Sequence, residues 1–442
     1  MTTRVCMYVW NHFTNDARVL RECTALAENG YHVDLICIHD PNQGGLPLFE
    51  KKNDFFQIFR VRRYPLLLEM IQNLYAYCRE NKAAGALLAI FWLVLLIMFP
   101  LPAAIISFLF FFLLKTKLKT VWVRAAIFGR MIMKGFSGRY DIYHANDLNT
   151  LPQGWICSKL RISKKKLIYD SHEVQTSRTG YDNPFYKYLE AFLIHKADEV
   201  IVENHTRARY CQKVYGFYPH VVHNYPFSIK QNLPVPFPLH QMLGLAKEEK
   251  ILLYQGGIQT GRGLDKLIEA VPLFKEGILV LIGDGKIKKR LQGQVNQQNL
   301  AEKVRFIDKV PLAELPLYTR QAYLGFQVLN NVCFNHYSAS SNKLFEYMMS
   351  GVPVVACRFP EIRRVVETER TGICIDSHSP REIAGAVNLL LEDMELRDEY
   401  SKNAFRARIK YNWDSEKLHF LDLYKKTCHS EEGLRWRKIS IK

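Results

Sequence analysis

An uninterrupted apolar segment, residues 83–114, constrains the fold of this chain more than any other feature. Its 32 residues, AAGALLAIFWLVLLIMFPLPAAIISFLFFFLL, include no charged side chain. Such a length is typical of a transmembrane helix, but Pro100 and Pro102 divide it into pieces of 17 and 12 residues. Because proline removes a backbone donor and kinks a helix, the segment is predicted to form two short helices joined by a bend.

Basic residues flank this segment on both sides. Arg79 and Lys82 precede it, and Lys115 and Lys117 follow it. Positive charge at both ends favours a cytoplasmic position for both ends. The preferred prediction is therefore a monotopic or re-entrant hairpin that leaves both main domains in the cytosol. Two short packed spans, and a hairpin buried in a soluble core, are the alternatives.

Positive charge is concentrated directly behind the apolar segment. The chain has a formal net charge of +17, and residues 115–139 contain seven basic side chains and no acid. This placement favours contact with an anionic membrane surface. No DNA- or RNA-binding motif with interleaved aromatic residues is present, so no nucleic-acid partner is expected. The ten cysteines are scattered without a CxxC pair, which is typical of reduced, mostly buried thiols.

Short apolar runs alternate with helical patterns along the rest of the chain. RVCMYVW, YHVDLICI, DIYHAND, KKKLIYDSHE and ADEVIVEN are predicted strands, and the first is expected to be a strand rather than a signal peptide. After the proline-rich stretch NYPFSIKQNLPVPFP, the pattern restarts with KILLYQGG, GILVLIGDG, VRFID, AYLGFQVL and VPVVACR. This alternation predicts an α/β chain of two Rossmann-like, doubly wound parallel-sheet domains that face a crevice and bind ligands at the carboxyl ends of their strands.

Shifts in composition along the chain predict four segments. The segments are an N-terminal domain at 1–225 with the apolar hairpin at 83–114 and the basic flank at 115–139, a linker at 226–245, a C-terminal domain at 246–412, and a C-terminal helix with a basic tail at 413–442. The apolar residues of SEKLHFLDLYKKT are sufficient to dock this last helix on one of the domains.

One stretch of the second half, SSNKLFEYMMSGVPVVA, combines a short helix with a strand. Helical spacing places Lys343, Glu346 and Tyr347 on a polar arc opposite an apolar one. A lysine in the first turn opposes the helix dipole, and an anion bound at that N-terminus would remove the conflict. Glu346, about 4.5 Å further along the axis, could accept hydrogen bonds from a ribose diol, so the pair fits a nucleotide. From spacing alone, an ordinary i,i+3 surface ion pair remains the alternative.

The same stretch resembles the signature of the family-four glycosyltransferases, which are retaining, nucleotide-sugar-dependent enzymes of GT-B fold. FTNDARVLRE, DIYHANDLNTLPQG, LIYDSHE, VVHNYP, YQGGIQTGRGLDKLIEA and LIGDG are also similar to segments of that family, in the same order. Only the apolar segment and its basic flank lie outside the pattern. The resemblance implies a hexosyltransferase of polysaccharide or glycoconjugate biosynthesis, with an acceptor-side first domain and a donor-binding second domain. The hairpin adds the expectation of a lipid-linked or membrane-near glycan acceptor at the cytoplasmic face of a membrane.

The resemblance also implies roles for individual residues. The implied donor-binding residues are Gly256, Gly257, Arg262, Ser341, Asn342, Lys343, Leu344 and Glu346. Glu346 would hold the donor ribose, Lys343 would lie by the diphosphate, and Arg262 would neutralise phosphate charge. Because cationic side chains can stabilise a nucleoside diphosphate leaving group, no metal or other cofactor is expected beside the nucleotide-sugar donor.

The implied catalytic residues, His144 and Glu173, follow from the first half of the chain. Both are expected at strand ends that face the crevice, and His144 matches the histidine that the family places close to the transferred sugar. A structural histidine and a structural loop network are the alternatives. Asp16 and Arg18 are expected on the acceptor side, with a local ion pair that caps the first helix as the alternative.

Two positions depart from the family pattern. The family often has two glutamates eight positions apart, whereas the residue eight positions before Glu346 is Ser338. Gly257 stands where the family has a phosphate-binding arginine. These departures support a second hypothesis, a catalytically degenerate GT-B subunit that docks on the membrane as the binding partner of another transferase.

Overall fold

The computed structural model describes residues 2–14, 16–40, 45–177, 183–228, 237–376 and 379–429. By contacts between residues, the chain divides into two compact units. The first comprises Met1–Asp170 and Leu193–Asp198, and the second comprises Ser171–Phe192 and Glu199–Lys442. Parts of the predicted linker (229–236) and the predicted basic tail (430–442) lie outside the described residues. The predicted domain boundaries therefore stay predictions.

All ten predicted strands are present, together with four others. The strands are β1 (Arg4–Tyr8), β2 (His32–Ile38), β3 (Phe49–Asn53), β4 (Phe56–Val61), β5 (Ile142–Asn146), β6 (Lys166–Ser171), β7 (Glu199–Val202), β8 (His220–Val221), β9 (Ile251–Gln255), β10 (Ile278–Ile282), β11 (Val304–Ile307), β12 (Leu324–Gln327), β13 (Val354–Cys357) and β14 (Gly372–Ile375).

The helices alternate with these strands. They are α1 (Ala17–Glu28), α2 (Leu66–Glu80), α3 (Lys82–Met98), α4 (Pro100–Lys115), α5 (Leu118–Ser137), α6 (Leu151–Lys159), α7 (Pro184–Ile194), α8 (His205–Tyr215), α9 (Leu239–Leu243), α10 (Leu264–Ala270), α11 (Lys288–Gln297), α12 (Leu315–Thr319), α13 (Phe334–Tyr337), α14 (Asn342–Met349), α15 (Pro360–Glu369), α16 (Pro380–Glu392), α17 (Met394–Ala407) and α18 (Trp413–His429).

In the first unit, neighbouring strands follow the order β3-β4-β2-β1-β5-β6. β1 pairs in parallel with β2 and β5, and β5 pairs in parallel with β6. The prediction of a wholly parallel sheet is wrong at the edge, where β3 pairs antiparallel with β4. Only Asp54 and Phe55 separate these two strands, and a parallel pair would need a much longer crossover.

In the second unit, six strands follow the order β11-β10-β9-β12-β13-β14, and all their pairings are parallel. Successive residues of β9 belong to two different apolar clusters. Leu252 and Tyr254 lie in one, and Ile251 and Leu253 lie in the other. The sheet is therefore packed on both faces, as parallel sheets require. The predicted α/β class with two parallel sheets is confirmed.

The apolar segment forms α3 and α4, which are separated at Phe99, directly before Pro100. Trp92 Nε1 donates a hydrogen bond to Ser107 Oγ at 3.0 Å, which places the two helices side by side. α3 buries none of its residues, so the alternative of a hairpin buried in a soluble core is wrong for this helix. Among the described residues, no single helix is both long and apolar enough to cross a bilayer; α2 and α3 meet that requirement only as a pair bent by 119°.

Candidate functional site

The loop that follows β9 packs backbone against backbone, in a way that only glycine allows. Gly256 has a φ of 124°, and its amide donates a hydrogen bond to the carbonyl of Ile282, the last residue of β10, at 3.0 Å. A Cβ atom on Gly283, in the next loop, would overlap the carbonyl oxygen of Gly256. Both loops lie at the carboxyl edge of the second sheet, which is where doubly wound sheets bind ligands.

α14 brings Lys343 to this loop. The residue is only 7% exposed, and its Nζ lies 3.9 Å from the centroid of the Tyr254 ring. A side chain on Gly256 would meet Nζ at 3.5 Å. Burial and the positive charge of Arg262 hold the pKa of Lys343 well below its ordinary value, although Glu346 acts in the opposite direction. A bound anion would relieve the repulsion between the two cations, so the arrangement suits an anionic ligand.

Glu346 is held in place by side chains that the sequence analysis missed. Nε2 of Gln255, the last residue of β9, donates a hydrogen bond to Glu346 Oε2 at 2.6 Å. Oε1 of Gln255 accepts one from Thr319 Oγ1 at 2.8 Å, and both residues are buried. The chain of hydrogen bonds orients the carboxylate beside the glycine loop. A polar residue at the end of an apolar strand is the signal that could have found Gln255, whereas Thr319 offers no such local signal.

The structure corrects the prediction that α14 exposes a polar arc. Tyr347 is fully buried, and its hydroxyl donates to the carbonyl of Leu253 at 2.9 Å and accepts from the amide of Gln255 at 3.2 Å. Lys343 is buried as well, so a surface ion pair does not describe this helix. The side chain of Leu344 lies in the apolar core, which leaves only its backbone for the donor-binding role predicted for it.

The other predicted donor-binding residues lie in the same two segments. Arg262 is half-buried in the loop after β9, and Gly257 is exposed there, with its carbonyl accepting a hydrogen bond from the hydroxyl of Tyr254 at 2.9 Å. Ser341 is the N-cap residue of α14, although its side chain makes no capping hydrogen bond, and Asn342 is exposed in the first turn. Their roles toward a donor stay predictions.

Ser338 belongs to a buried polar network in the second unit. Its Oγ accepts a hydrogen bond from Arg207 Nε at 3.2 Å, and its carbonyl accepts one from Asn204 Nδ2 at 2.8 Å. Arg207 also forms a buried ion pair with Glu203. Ser338, at the position where the resembling family has a glutamate, therefore contacts an arginine that is already paired with a carboxylate. This contact was not predicted from the sequence.

Glu173 is half-buried in the loop after β6. The next residue, Val174, exchanges two hydrogen bonds with the side chain of Asn335, at 2.8 and 3.0 Å. Burial lowers the pKa of the adjacent His336, and the charge of Glu173 partly opposes this effect. Glu173 thus lies near the segment that leads into α14, and its catalytic role stays a prediction.

A buried cluster of charged side chains occupies the first unit, where β1, β5 and β6 end. Nη1 of Arg18, in the first turn of α1, donates to Asp170 Oδ2 at 2.8 Å and to Asn146 Oδ1 at 2.9 Å. His144 Nε2 lies 3.6 Å from Asp170 Oδ2 and 3.9 Å from Glu22 Oε2. His144 is the middle residue of β5 rather than its end, and it is fully buried.

Charge pairing dominates this cluster. Burial opposes the charge of Arg18, but the carboxylates of Asp170 and Glu22 outweigh it and raise the pKa of Arg18. Burial and the nearby Asp170 raise the pKa of Glu22. Glu22 was not predicted from the sequence; it lies on α1 one turn after Arg18 and shares its face.

Asp16 caps α1, but without the local ion pair that the alternative prediction combined with this cap. Its Oδ1 accepts a hydrogen bond from the amide of Val19 at 3.1 Å, and its Oδ2 accepts one from Asn11 Nδ2 at 2.8 Å. The close ion pair of Arg18 is with Asp170 rather than with Asp16. The acceptor-side roles of Asp16 and Arg18 stay predictions.

Comparison with known proteins finds a family match within the second unit. Residues 238–407 match the family Glycosyl transferases group 1. This range contains β9 to β14 together with Gln255, Arg262, Lys343 and Glu346.

Two curated relatives bear the same name, D-inositol 3-phosphate glycosyltransferase. That of Jonesia denitrificans is 26% identical over 196 residues, which cover 42% of this chain and 45% of the relative. That of Thermobispora bispora is 23% identical over 308 residues, which cover 65% of this chain and 71% of the relative. The chain spans about half the length of the first of these relatives.

Solved structures cover nearly the whole chain. Sucrose-phosphate synthase from Thermosynechococcus elongatus superposes with a TM-score of 0.72 at 18% identity, covering 96% of this chain and 98% of the other. HepE of Anabaena in complex with UDP superposes with a TM-score of 0.65 at 16% identity, covering 96% and 100%. The chain has the GT-B fold. At these identities the likeness establishes the GT-B fold alone.

Proposed function

We propose that the chain is a retaining glycosyltransferase that moves a sugar from a nucleotide diphosphate donor to a lipid-linked or membrane-near glycan. The observation that carries the proposal is the buried Lys343 and the oriented Glu346, one turn apart on α14 at the carboxyl edge of the second sheet. The family match over residues 238–407 and the UDP complex of a protein of the same fold support a nucleotide sugar as the donor.

The chemistry of such a transfer fits these side chains. The leaving group is a nucleoside diphosphate, whose negative charge increases as the bond to the sugar breaks. Lys343 and Arg262 would stabilise that charge, because fixed cations in a dry site need little reorganisation. Glu346, oriented by Gln255, would accept hydrogen bonds from the ribose hydroxyls. Since two cations of the chain serve the diphosphate, the proposed reaction needs no metal.

In the first unit, His144 is proposed to act close to the transferred sugar. Arg18 holds the carboxylate of Asp170 through a 2.8 Å hydrogen bond, and that carboxylate lies near the imidazole of His144. An imidazole beside a carboxylate that is itself held by an arginine suits a positioning or proton-handling role. Glu173 is proposed as a second catalytic residue, and Asp16 and Arg18 as acceptor-side residues.

Ligand-dependent stability tests the donor site. Thermal unfolding in detergent with UDP, GDP and ADP should show stabilisation by at least one of them, about 2.7 kcal/mol at a concentration of 100 times Kd. Glu346→Ala should lose most of this stabilisation. Glu302→Ala, which removes an exposed carboxylate from the same unit, should keep it. Stabilisation by none of the three nucleotides would contradict the proposed donor site.

A second candidate function is a non-catalytic subunit that binds a partner transferase. The observation that favours it is Ser338, which is engaged by Arg207 where the resembling family has a second glutamate. A measurement of catalytic turnover distinguishes the glycosyltransferase from the non-catalytic subunit. A donor screen that detects neither sugar transfer nor donor hydrolysis, in a protein that still binds a nucleoside diphosphate, would favour the non-catalytic subunit.

We also propose that the chain lies at the cytoplasmic face of a membrane, with α3 and α4 inserted as a monotopic or re-entrant hairpin. Ile97 and Leu101, on either side of the break between these helices, are 80% and 71% exposed. A contiguous apolar surface of this kind is typical of a membrane or partner contact. The basic residues of 115–139, which follow directly, favour an anionic membrane surface over a protein partner.

Vesicle flotation tests the membrane proposal. Ile97→Glu/Leu101→Glu should reduce binding to anionic vesicles, because it places two carboxylates on the apolar surface. Ile162→Glu/Leu418→Glu makes the same change at exposed apolar residues elsewhere and should bind as the wild type does. Deletion of 83–114 should abolish both vesicle binding and activity on a lipid acceptor. If the deletion variant keeps both properties, the membrane proposal fails.

A further inference from the structure

A cavity of about 560 Å³ lies in the first unit. Its walls come from three segments: the loop after β1, with Trp10 and His12; the turn between β4 and α2, with Arg63; and the first turns of α5, with Lys119 and Arg124. The first two segments follow the carboxyl ends of parallel strands. The cavity is therefore at the edge of the sheet where ligands of doubly wound folds bind, but it uses α5, which belongs to the basic flank of the apolar segment.

Hydrogen bonds hold the walls in position. Arg130, on α5, donates through Nη1 to the carbonyl oxygens of Arg62 at 2.6 Å and Tyr64 at 2.7 Å. These two bonds fasten α5 to the turn before α2. In the wall formed by the loop after β1, His12 Nδ1 lies 3.1 Å from the carbonyl oxygen of Ile38, the last residue of β2. The cavity is thus preformed, which is the usual condition of a small-molecule site.

The charge of the cavity is positive. Arg63, Lys119 and Arg124 line it, and no acidic residue does. Within the described parts of the chain, none of these three side chains forms an ion pair. At the loop after β1, His12 Nε2 lies 3.9 Å from Asp40 Oδ2. Three cations around one cavity favour an anion, and guanidinium and ammonium groups suit phosphate oxygens.

The cavity is located at the base of the exposed apolar helices. α2 begins at Leu66, two residues after Tyr64, and leads directly into α3. α4 ends at Lys115, three residues before α5 begins at Leu118. Both connections between the sheet and the apolar helices therefore pass the cavity wall. A ligand with an anionic head group in the cavity would have its hydrophobic tail beside the helices proposed to enter the bilayer.

We infer that this cavity binds the phosphate or diphosphate head group of a lipid, the anchor of the lipid-linked acceptor. The inference rests on the proposed function, whose acceptor it specifies. Arg63, Lys119 and Arg124 supply the charge, and the aromatic faces of Trp10 and Tyr64 can pack against the first carbons of the tail.

Binding of three small probes to the full-length protein in detergent tests the inference. Farnesyl diphosphate carries both head and tail, inorganic pyrophosphate carries the head alone, and farnesol carries the tail alone. Farnesyl diphosphate should bind at least about tenfold more tightly than either of the others, because only it makes both kinds of contact. Lys119→Ala/Arg124→Ala should weaken its binding by about tenfold or more, the loss expected when charge-assisted hydrogen bonds to phosphate are removed.

A matched variant controls for general electrostatic attraction. Lys117→Ala/Arg139→Ala removes two charges from the same basic flank outside the cavity and should leave binding within about twofold of wild type. Thermal unfolding should show that both double variants are folded. Equal weakening in both, or no weakening in Lys119→Ala/Arg124→Ala, would overturn the inference. Pyrophosphate bound as tightly as farnesyl diphosphate would overturn the lipid as ligand in favour of a free phosphate.

The same samples separate this inference from the proposed function. Nucleoside diphosphate stabilisation that depends on Glu346 reports on the donor site in the second unit. It should persist in Lys119→Ala/Arg124→Ala. Loss of farnesyl diphosphate binding in Lys119→Ala/Arg124→Ala, with nucleotide binding intact, supports the cavity as the lipid site. A wild-type protein that binds a nucleotide but not farnesyl diphosphate refutes the lipid site and leaves the donor site in place.

Discussion

Replacement of Lys343 by methionine should stabilise the unliganded protein and weaken its binding of a nucleoside diphosphate. Methionine keeps an unbranched side chain but removes a charge that burial disfavours and Arg262 repels. Because the penalty for burying a single ion is several kcal/mol, replacement of Lys343 by an apolar side chain of similar length is expected to stabilise the folded protein by roughly 1–4 kcal/mol. The same substitution deletes a cation proposed to contact the diphosphate, at a cost of roughly 1.5–3 kcal/mol, or about tenfold to a hundredfold in Kd.

The stability difference should depend on pH in a definite direction. Burial and Arg262 depress the pKa of Lys343 in the folded state, while the unfolded chain keeps an ordinary lysine value of about 10.4. Between these two values the unfolded state binds one more proton. Wild-type stability therefore rises with pH across this window by about 1.4 kcal/mol per pH unit. The cost of a charged Lys343 in the folded state is fully present below the folded pKa and disappears above the unfolded pKa, so the advantage of Lys343→Met is largest at low pH.

Urea denaturation of both proteins from about pH 8 to about pH 10 measures this slope. Lys266→Met is the control, because Lys266 lies on the neighbouring α10, is exposed, and pairs with Glu269 at 2.7 Å. Two results would refute the reasoning. One is a difference between wild type and Lys343→Met that stays constant over this pH range, and the other is wild-type nucleoside diphosphate affinity in Lys343→Met.

Two further substitutions, one in each unit, test the packing of the protein. Arg18→Met removes the guanidinium that lies 2.8 Å from the buried Asp170, and it should lower the free energy of unfolding by roughly 3–5 kcal/mol because it leaves a buried carboxylate uncompensated. Gly283→Ala should cost roughly 1–3 kcal/mol or more and weaken nucleotide binding, because its Cβ would overlap the carbonyl oxygen of Gly256. Gly293→Ala, in α11 with no atom within 4 Å of an added Cβ, should stabilise by roughly 0.5–1 kcal/mol.

Urea denaturation measures all three changes. Arg363→Met, which removes an exposed arginine from α15, should change the free energy of unfolding by less than about 0.5 kcal/mol. An equally small effect of Arg18→Met would contradict a charged pair in the first unit. Equal stability of the Gly283→Ala and Gly293→Ala variants would contradict the close packing of the loops after β9 and β10.

The buried parallel strands were predictable because each is a short apolar run that ends in polar residues. The β3–β4 hairpin was not predicted, because the FEKKN sequence of β3 is polar and mostly exposed. An edge strand has one open side and needs no apolar pattern. The candidate helix α14 was predicted, but its polar arc was assigned to the surface, since a helical period distinguishes faces and does not say how many of them are covered.

The sequence by itself determined the order of strands and helices and placed Lys343 and Glu346 one turn apart, because both follow from local periodicity. Only the tertiary structure decided that Lys343 is buried and that Glu346 is oriented by Gln255, which in turn is held by Thr319, 64 positions along the chain.

Only the tertiary structure decided the ion pair of the first unit as well, in which Arg18 pairs with Asp170 across 152 positions. Nothing in the spacing of Asp16 and Arg18 distinguishes a local ion pair from this distant one. The choice depends on which strand ends become neighbours in the sheet. Strand adjacency is a property of long-range packing, and the local pattern of apolar and polar residues does not contain it.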